Sequence, residues 1–245
     1  MDTFAAMTES APFSGFPEET FRFLRGITQN NDKAWFEAHR ADYEAGYIEP
    51  AKAFVSALGL RLRKIAPSVQ FEPRVNGSLF RINRDIRFSK DKSPYKNHLD
   101  LWFWLGERRG WDAPGFFFRM FADRVLLGAG MHHFEKQHLE TYRRKVIHPK
   151  SGEALAKVLS AVRAAGNYEI GGATRTTVPR GFDASHERAQ LLLHEGLWAE
   201  FKLKIKDEPR TPRFVDFCAG HYASMWPVAR WIQQDVASAS PRTLK

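Results

Sequence analysis

The stretch LDLWFWLGERRGWDAPGFFFRMFADRVLLGAGM, residues 99–131, decides the fold class of this chain. It contains three short runs of aromatic and aliphatic residues, LDLWFWL, GFFFRMFA and RVLLGAGM, separated by glycine, proline or aspartate. Runs of this length and composition between turn residues are typical of β-strands. The turn at residues 122–124 is too short for a crossover helix, so the second and third strands must pair antiparallel. The middle of the chain therefore predicts an antiparallel sheet.

Helical patterns precede this sheet in the sequence. Pro17 and the two glutamates after it begin a first helix, because proline fits the first helical position and acids favour a helix N-terminus. Asn31 or Asp32 caps a second helix. Pro50 restarts the chain into a third, whose apolar residues recur every three or four positions until Pro67. The first quarter of the chain is therefore predicted to be helical.

Helical and strand patterns alternate after the sheet. Residues 134–148 and 152–166 have the apolar spacing of amphipathic helices, and Asp183 or Ser185 caps a further short helix. The runs YEIGGATRTT and LWAEFKLKI are predicted strands, and a last long helix covers about residues 212–235.

The order of these elements predicts the architecture. Helices come before and after a block of strands joined by short turns, and no internal repeat or low-complexity linker divides the chain. We therefore predict a single α+β domain, residues 12–236, with a mostly antiparallel sheet flanked by helices. The small and polar residues at either end predict disordered tails at residues 1–11 and 237–245.

Composition narrows the class of protein. Of the 245 residues, 43% are hydrophobic, which is enough to build a buried core. No run of eighteen apolar residues and no signal-peptide pattern occurs, so we expect a cytoplasmic protein without a membrane partner. The single cysteine, Cys218, excludes intramolecular disulfides and is expected in the core. The formal net charge of +9 favours an anionic partner.

One segment concentrates positive charge. RINRDIRFSKDKSPYK, residues 81–96, holds three arginines and three lysines but only two aspartates, and it connects two elements of the sheet. Like charges held close together repel unless an anion lies between them, which predicts a pocket for a phosphate- or carboxylate-bearing small molecule. The predicted ligand-binding residues are Arg81, Arg84, Arg87, Lys92, Lys96 and, from the loop TVPRGF, Arg180. The candidates for acid–base catalysis are Asp85, Tyr95 and His98.

Two other interpretations of this segment are compatible with the sequence. In one, the cations contact the phosphates of a nucleic acid or another polyanion. In the other, Arg81, Arg84 and Asp85 form an internal ion-pair network, and the function lies in a protein–protein surface. The pattern specifies no reaction, so it does not decide whether the protein is an enzyme.

The sequence contains no motif for a metal or a nucleotide cofactor. His132, His133 and His138 lack the spacing of zinc ligands on a helix, so we predict no metal site. The phosphate-binding patterns GxGxxG and GxxxxGK[ST] are absent, as is the GxSxG of serine hydrolases. No cofactor and no oligomeric state follow from these patterns.

The segment GSLFRINRDIRFSKDKSPYK resembles the signature of a bacterial family catalogued as domain of unknown function 2461. That signature has an arginine, then Arg-Asp, Arg-Phe, an acid-lysine pair and a tyrosine. It matches this chain at Arg81, Arg84, Asp85, Arg87, Phe88, Asp91, Lys92 and Tyr95. The stretches NNDKAWFEAHRADY, GFFFRMFADRVLLGAGMH and VPRGFDASH are also similar to that family, so the resemblance spans about residues 13–236. It implies a single domain of bacterial type defined by the arginine-rich segment, and it brings no activity with it.

Overall fold

The computed structural model describes residues 12–106, 110 and 113–238. Its α-helices are α1 (Glu18–Gln29), α2 (Lys33–Ala38), α3 (Arg40–Tyr43), α4 (Glu49–Ile65), α5 (Lys136–Ile147), α6 (Pro149–Ala164) and α7 (Phe214–Trp231). Its strands are β1 (Val69–Gln70), β2 (Leu99–Leu105), β3 (Gly115–Met120), β4 (Arg124–Met131), β5 (Glu169–Ala173) and β6 (His194–Lys204). The predicted tail at residues 1–11, and residues 239–245 of the predicted tail at 237–245, lie outside the described residues. A π-helical turn, Ile232–Ala237, extends α7 as far as the start of the predicted C-terminal tail.

Within the described part of the chain, the strands form one sheet in the order β1-β2-β3-β4-β6-β5. Every neighbouring pair is antiparallel. The three runs quoted from residues 99–131 are β2, β3 and β4. The turn between β3 and β4 is closed by the Phe121 N–H, which donates to the Arg124 carbonyl at 2.8 Å. The predicted α+β fold with an antiparallel sheet and flanking helices is confirmed.

The helices cover one face of this sheet, which we call the inner face. Successive side chains of a strand point to opposite faces, so the inner face is formed by alternate residues such as Leu101, Phe118 and Leu127. Helix α7 crosses β3, β4 and β6 on this face, with α4 and α6 packed beside it. The rings of Phe54, Phe118 and Phe214 meet where α4, β3 and α7 join, with centroids 4.9 to 6.1 Å apart. Aromatic rings therefore form the part of the core where α4, β3 and α7 join.

Helix α7 is rich in apolar residues because it lies in the middle of the inner layer. Cys218 is fully buried there, as expected, and burial raises the pKa of its thiol. Tyr222 is also buried, and its hydroxyl donates to the carbonyl of Phe117 at 2.9 Å, which ties α7 to β3. Neither α7 nor any other helix in the described ranges is long and apolar enough to cross a membrane.

The helical N-terminal quarter follows the prediction except at His39, where the predicted second helix is broken into α2 and α3, and at Pro50. Asp32 caps α2 by accepting a hydrogen bond from the Trp35 N–H at 2.9 Å. The predicted restart at Pro50 is wrong, because a π-helical turn, Glu44–Ile48, joins α3 to α4 without a break. Pro50 lies in the first turn of α4, where a missing N–H removes little hydrogen bonding.

The predicted short helix after Asp183 is also wrong. Oδ1 of Asp183 accepts hydrogen bonds from the backbone N–H of Ser185 at 2.8 Å and from its hydroxyl at 2.7 Å. An aspartate that closes a local turn in this way competes with helix formation. Helical backbone appears only later, as a 3-10 turn at Ala189–Leu193.

The opposite, outer face of the sheet carries aromatic rings laid over glycines. A Cβ added to Gly115 would come within 2.8 Å of the Trp102 ring, and one added to Gly128 within 2.0 Å of the Phe117 ring. The missing side chains therefore make room for rings from the neighbouring strands. The outer face at β2 and β3 is an aromatic surface that also carries two charged residues, Asp100 and Arg119.

Candidate functional site

The arginine-rich segment folds as an irregular hairpin, residues 80–98, at the beginning of β2. The N–H of Phe80 donates to the carbonyl of Asp100, which continues the sheet beside β2. The N–H of Lys96 donates to Ile82 at 2.8 Å and that of Arg84 to Pro94 at 2.9 Å, which holds the two arms together. The backbone hydrogen bonds between the two arms end there, and residues 85–93 form the tip of the hairpin.

Three contacts from the N-terminal region, residues 31–47, fix this hairpin. The side chain of Asn31 donates to the carbonyl of Tyr95 at 2.9 Å and accepts from its N–H at 3.0 Å. The ring of Tyr95 is stacked on Phe36, with centroids 4.3 Å apart. The hydroxyl of Tyr47 donates to the carbonyl of His98 at 3.1 Å. The hairpin is thus held by side-chain hydrogen bonds to its backbone and by an aromatic contact, not only by its charges.

A cavity of about 600 Å³ lies between the hairpin, the end of α1 and the outer face of β2 and β3. The residues that line it are Thr28, Asn31, Phe80, Asn83, Arg84, Asp85, Asp91, Ser93, Tyr95, Lys96, Asn97, His98, Asp100 and Arg119. We call this the hairpin cavity. It is polar and charged, with three asparagines among its walls.

The floor of the hairpin cavity is built around the carboxylate of Asp100, which is 11% exposed. Arg119 donates to it through Nε at 2.6 Å and through Nη2 at 3.2 Å. Lys96 Nζ lies 3.2 Å from Oδ2, and Nε2 of His98 lies 3.1 Å from the same oxygen. Asp100 and Arg119 meet because they are direct partners in the register of β2 and β3.

The charges on this floor do not balance. Burial alone raises the pKa of Asp100, but hydrogen bonds from His98 and Arg119 outweigh burial and hold the pKa well below its ordinary value. Asp100 is therefore a carboxylate, and its one negative charge is shared by Lys96 and Arg119 even when His98 is left out of the count. Nη1 of Arg119 takes no part in the pair with Asp100, and 44% of the Arg119 side chain is exposed. The floor thus has an excess of at least one positive charge that faces the cavity.

The rim of the cavity, by contrast, is neutralised within the hairpin. Nη1 of Arg84 lies 2.5 Å from Oδ2 of Asp91, and it also donates to the carbonyl of Ser93 at 3.1 Å. Arg87 forms a two-pronged pair with Asp85, at 3.0 Å through Nε and 2.7 Å through Nη2. The turn at the hairpin tip brings each aspartate next to one arginine. The structure therefore supports a local ion-pair network for these residues.

The sequence matches a family model over residues 19–231, and that family is described as a conserved hypothetical protein, DUF2461. The chain belongs to the DUF2461 family. The resemblance noted from the arginine-rich segment is confirmed at the level of the family. The matched range contains every residue that lines the hairpin cavity of this DUF2461 protein. No curated protein matches the sequence.

The structure brings together some of the predicted site residues of this DUF2461 protein and separates others. Arg84, Asp85, Tyr95, Lys96 and His98 line the hairpin cavity. The predicted ligands that are absent from its lining are Arg81, Arg87, Lys92 and Arg180. The first two of these are exposed, Lys92 Nζ donates to the backbone carbonyl of Ile86 at 3.0 Å, and Arg180 is exposed on its own loop.

Sequence reasoning missed the two residues at the centre of the floor, Asp100 and Arg119. Each is the one charged residue within an apolar strand, LDLWFWL for β2 and GFFFRM for β3. A lone charge in such a strand is costly to bury unless it is paired, so it was a usable signal. What the sequence did not supply was the register that places the two side chains opposite each other.

Asp85 and Tyr95 are poorly suited to proton transfer near neutral pH. Hydrogen bonds from Arg87 lower the pKa of Asp85 to about 2, so it has little affinity for a proton. Burial, followed by the charge of Glu37, raises the pKa of Tyr95, so it stays a phenol. His98 is the candidate acid–base residue that lies on the floor, and its catalytic role stays a prediction.

The histidines of the stretch MHHFEKQH, residues 131–138, are not gathered into a group of possible metal ligands. In the described ranges of the chain, no group of three or more histidine, cysteine, aspartate or glutamate side chains is placed to hold a metal ion. His132 lies against the rings of Phe117 and Trp198, at centroid distances of 4.4 and 4.7 Å. It belongs to the aromatic outer face of the sheet.

Proposed function

We propose that the hairpin cavity binds a small anionic molecule that bears a phosphate or a carboxylate. The observation that carries this proposal is the floor, where Lys96 and Arg119 share the single carboxylate of Asp100. A second anion next to Nη1 of Arg119 would neutralise the excess charge and accept charge-assisted hydrogen bonds. Compared with the pocket expected from the sequence, the proposed site is displaced from Arg81, Arg87 and Lys92 towards the sheet.

The size and the walls of the cavity support a small ligand. A volume of about 600 Å³ falls within the range of about 300–1,000 Å³ that small-molecule sites occupy. The asparagines Asn31, Asn83 and Asn97 add neutral hydrogen-bonding groups around the charged floor. A cytoplasmic location in a bacterial cell is part of this proposal and rests on the sequence.

Thermal stabilisation by simple anions tests the proposal. We expect inorganic phosphate or acetate to raise the Tm of the wild-type protein when ionic strength is held constant with sodium chloride, because a ligand that binds the folded state stabilises it. Arg119→Gln and Lys96→Gln should each remove most of this rise. Arg124→Gln is the matched control, because Arg124 is an arginine on the next strand that is paired with Asp123 and lies outside the cavity.

The two cavity variants separate binding from folding. Each variant is first checked for a cooperative unfolding transition without added anion. Lys96→Gln leaves the two hydrogen bonds from Arg119 to Asp100 in place. The proposal would be contradicted if neither anion raised the Tm of the wild-type protein. It would also be contradicted if the anions raised the Tm of both variants as much as that of the wild type.

Binding to a nucleic acid remains the alternative proposal for the same cations. Several phosphate contacts would make the affinity for a single-stranded oligonucleotide fall steeply with salt concentration, whereas a site for one anion responds mildly. Gel-shift assays at low and moderate salt distinguish the two. Tight oligonucleotide binding that is lost on replacing the exposed Arg81 and Arg87, and is unaffected by Arg119→Gln, would favour the alternative.

A further inference from the structure

A second, apolar cavity of about 170 Å³ adjoins the hairpin cavity on the outer face of the sheet. Phe80, Asp100 and Arg119 line both cavities, so the two meet at the positively charged floor. The other residues that line the second cavity are Leu101, Trp102, Phe117, Phe118, Leu126, His132 and Glu200. We call it the aryl cavity.

The register of the sheet explains why an apolar cavity lies beside a charged floor. Asp100, Arg119 and Leu126 are successive partners across β2, β3 and β4. Trp102 and Phe117 form the adjacent row on the same face, two residues further along their strands, or about 7 Å away. In that row β4 has Gly128, and the Phe117 ring lies over it. The charged row and the aromatic row are thus neighbouring rows of side chains on the outer face of the sheet.

We propose that the anionic ligand of this protein carries an aromatic ring, with the anionic group on the floor of the hairpin cavity and the ring in the aryl cavity. This inference rests on the proposed function and names the class of its ligand. A cavity of about 150 Å³ is enough to hold a benzene ring, so 170 Å³ accommodates a single ring. Trp102 and Phe117 supply the faces and edges on which such a ring packs.

The charges at the two ends set the orientation of the ligand. Glu200 lines the aryl cavity, and its carboxylate accepts a hydrogen bond from the Trp198 indole N–H at 3.0 Å. Lys202 lies 2.9 Å from this carboxylate but is shared with Glu169 at 2.6 Å, so this end has no excess of positive charge. A ligand anion is attracted instead to Arg119 and Lys96. The anionic group therefore occupies the hairpin cavity and the ring points towards Leu126.

Calorimetric titration with matched pairs of probes tests this inference. The probes are inorganic phosphate against phenyl phosphate, and acetate against phenylacetate. We expect the aryl probe of each pair to bind the wild-type protein about tenfold more tightly or better, because the ring is removed from water. Leu126→Trp fills the aryl cavity and should abolish this preference while leaving the affinity for phosphate and acetate within about twofold.

Two further variants keep the result interpretable. Leu60→Trp is the matched control, since Leu60 is an exposed leucine on α4, and it should retain the wild-type preference. Phe117→Leu removes a ring that lines the cavity with a smaller change in volume, and it should weaken the aryl probes severalfold more than the simple anions. If Leu126→Trp does not fold, Phe117→Leu provides the test.

The failures of the two proposals have different signatures. Equal wild-type affinity for aryl and simple probes would overturn the aryl inference and leave the anion site standing. The same holds if the cavity variants keep the wild-type preference, or lose both kinds of probe equally. A wild-type protein that binds none of the four probes overturns the proposed function, and the aryl inference falls with it.

Discussion

Asp100 is the residue on which the floor of the cavity depends. It is buried, and Arg119, Lys96 and His98 are all in contact with its carboxylate. Removing one partner of a buried ion pair leaves the others desolvated and unneutralised, which costs far more than the loss of an exposed pair. The aspartate on the floor should therefore contribute much more to the stability of the protein than the aspartates at the exposed hairpin tip.

We expect Asp100→Asn to lower the free energy of unfolding by about 3 kcal/mol, because an amide cannot neutralise the cations around it. Urea unfolding measures the effect. Asp85→Asn is the matched control, since Asp85 pairs with Arg87 at the exposed hairpin tip, and its replacement should change stability little. Equal effects of the two substitutions would show that the floor is not an interior ion cluster.

Arg143 is a second residue whose environment leads to a prediction. Its Nε and Nη2 atoms are buried and have no hydrogen-bond partner among the described residues. Its contact with Glu195 is long, at 4.0 Å, and that carboxylate already accepts from Thr174 at 2.7 Å and Arg175 at 3.2 Å. Burial accordingly lowers the pKa of Arg143. The largely buried charge thus has one long contact, to a carboxylate that other donors already occupy.

Arg143→Met is expected to raise the free energy of unfolding by about 1 kcal/mol, because it fills similar space without an unpaired charge. Chemical denaturation of this variant beside Arg144→Met gives the comparison, since Arg144 is the exposed neighbour on α5. A marked loss of stability in Arg143→Met alone would mean that the guanidinium has a partner in the folded protein.

At the scale of elements, the hairpin of residues 80–98 depends on Asn31. Its side chain takes the place of a neighbouring strand by pairing with both backbone groups of Tyr95. A segment with few ladder bonds of its own opens easily unless such contacts hold it closed.

Asn31→Ala should therefore speed amide hydrogen exchange across residues 82–96 by about tenfold, the equivalent of about one lost hydrogen bond. Asn30→Ala is the control, because Asn30 is exposed and its side chain donates to the Gly26 carbonyl of α1 at 3.1 Å, not to the hairpin. Unchanged exchange in Asn31→Ala would show that the hairpin is held by its charges instead.

The glycines of the outer face give a second prediction at this scale. Gly128→Ala would put a Cβ within 2.0 Å of the Phe117 ring, so we expect a loss of about 1–3 kcal/mol in stability. Gly220 lies inside α7 with nothing within 4 Å of an added Cβ. Gly220→Ala should therefore stabilise the protein by up to about 1 kcal/mol through helix propensity. Thermal unfolding of both variants measures the contrast, and shifts of the same sign would contradict it.

At the scale of the whole molecule, buried histidines make stability depend on pH. His194 is buried, and His221 is half-buried against Phe201 with a ring centroid distance of 3.7 Å. Burial lowers the pKa of both histidines below the ordinary value of about 6.5. Below that pH the unfolded chain binds protons that the folded protein resists, so the free energy of unfolding falls as the solution becomes more acidic.

We expect urea unfolding at pH 7.5, 6.5 and 5.5 to show this loss, with each histidine contributing at most about 1.4 kcal/mol per pH unit. The low pKa of Asp100 affects stability only below about pH 4, so the two effects are separable. The double variant His194→Gln, His221→Gln should reduce the pH dependence to the part contributed by His132, whose pKa burial also lowers. The exposed-site control His133→Gln should leave it unchanged. An equally steep loss in the double variant would assign it to other groups.

The sequence by itself determined the local elements of this protein. The runs within residues 99–131 became strands because turn residues bound them, and apolar periodicity located the helices. These signals depend on neighbours a few residues apart. The concentration of charge in the hairpin was visible for the same reason.

Only the tertiary structure decided which charges meet. The hairpin turn pairs Arg84 with Asp91 and Arg87 with Asp85, while the strand register sets Arg119 against Asp100. Register and packing depend on contacts between residues distant in sequence, and a shift of one residue would have moved Arg119 to the inner face. The excess charge on the floor of the hairpin cavity is therefore a property of the folded sheet, not of the arginine-rich segment alone.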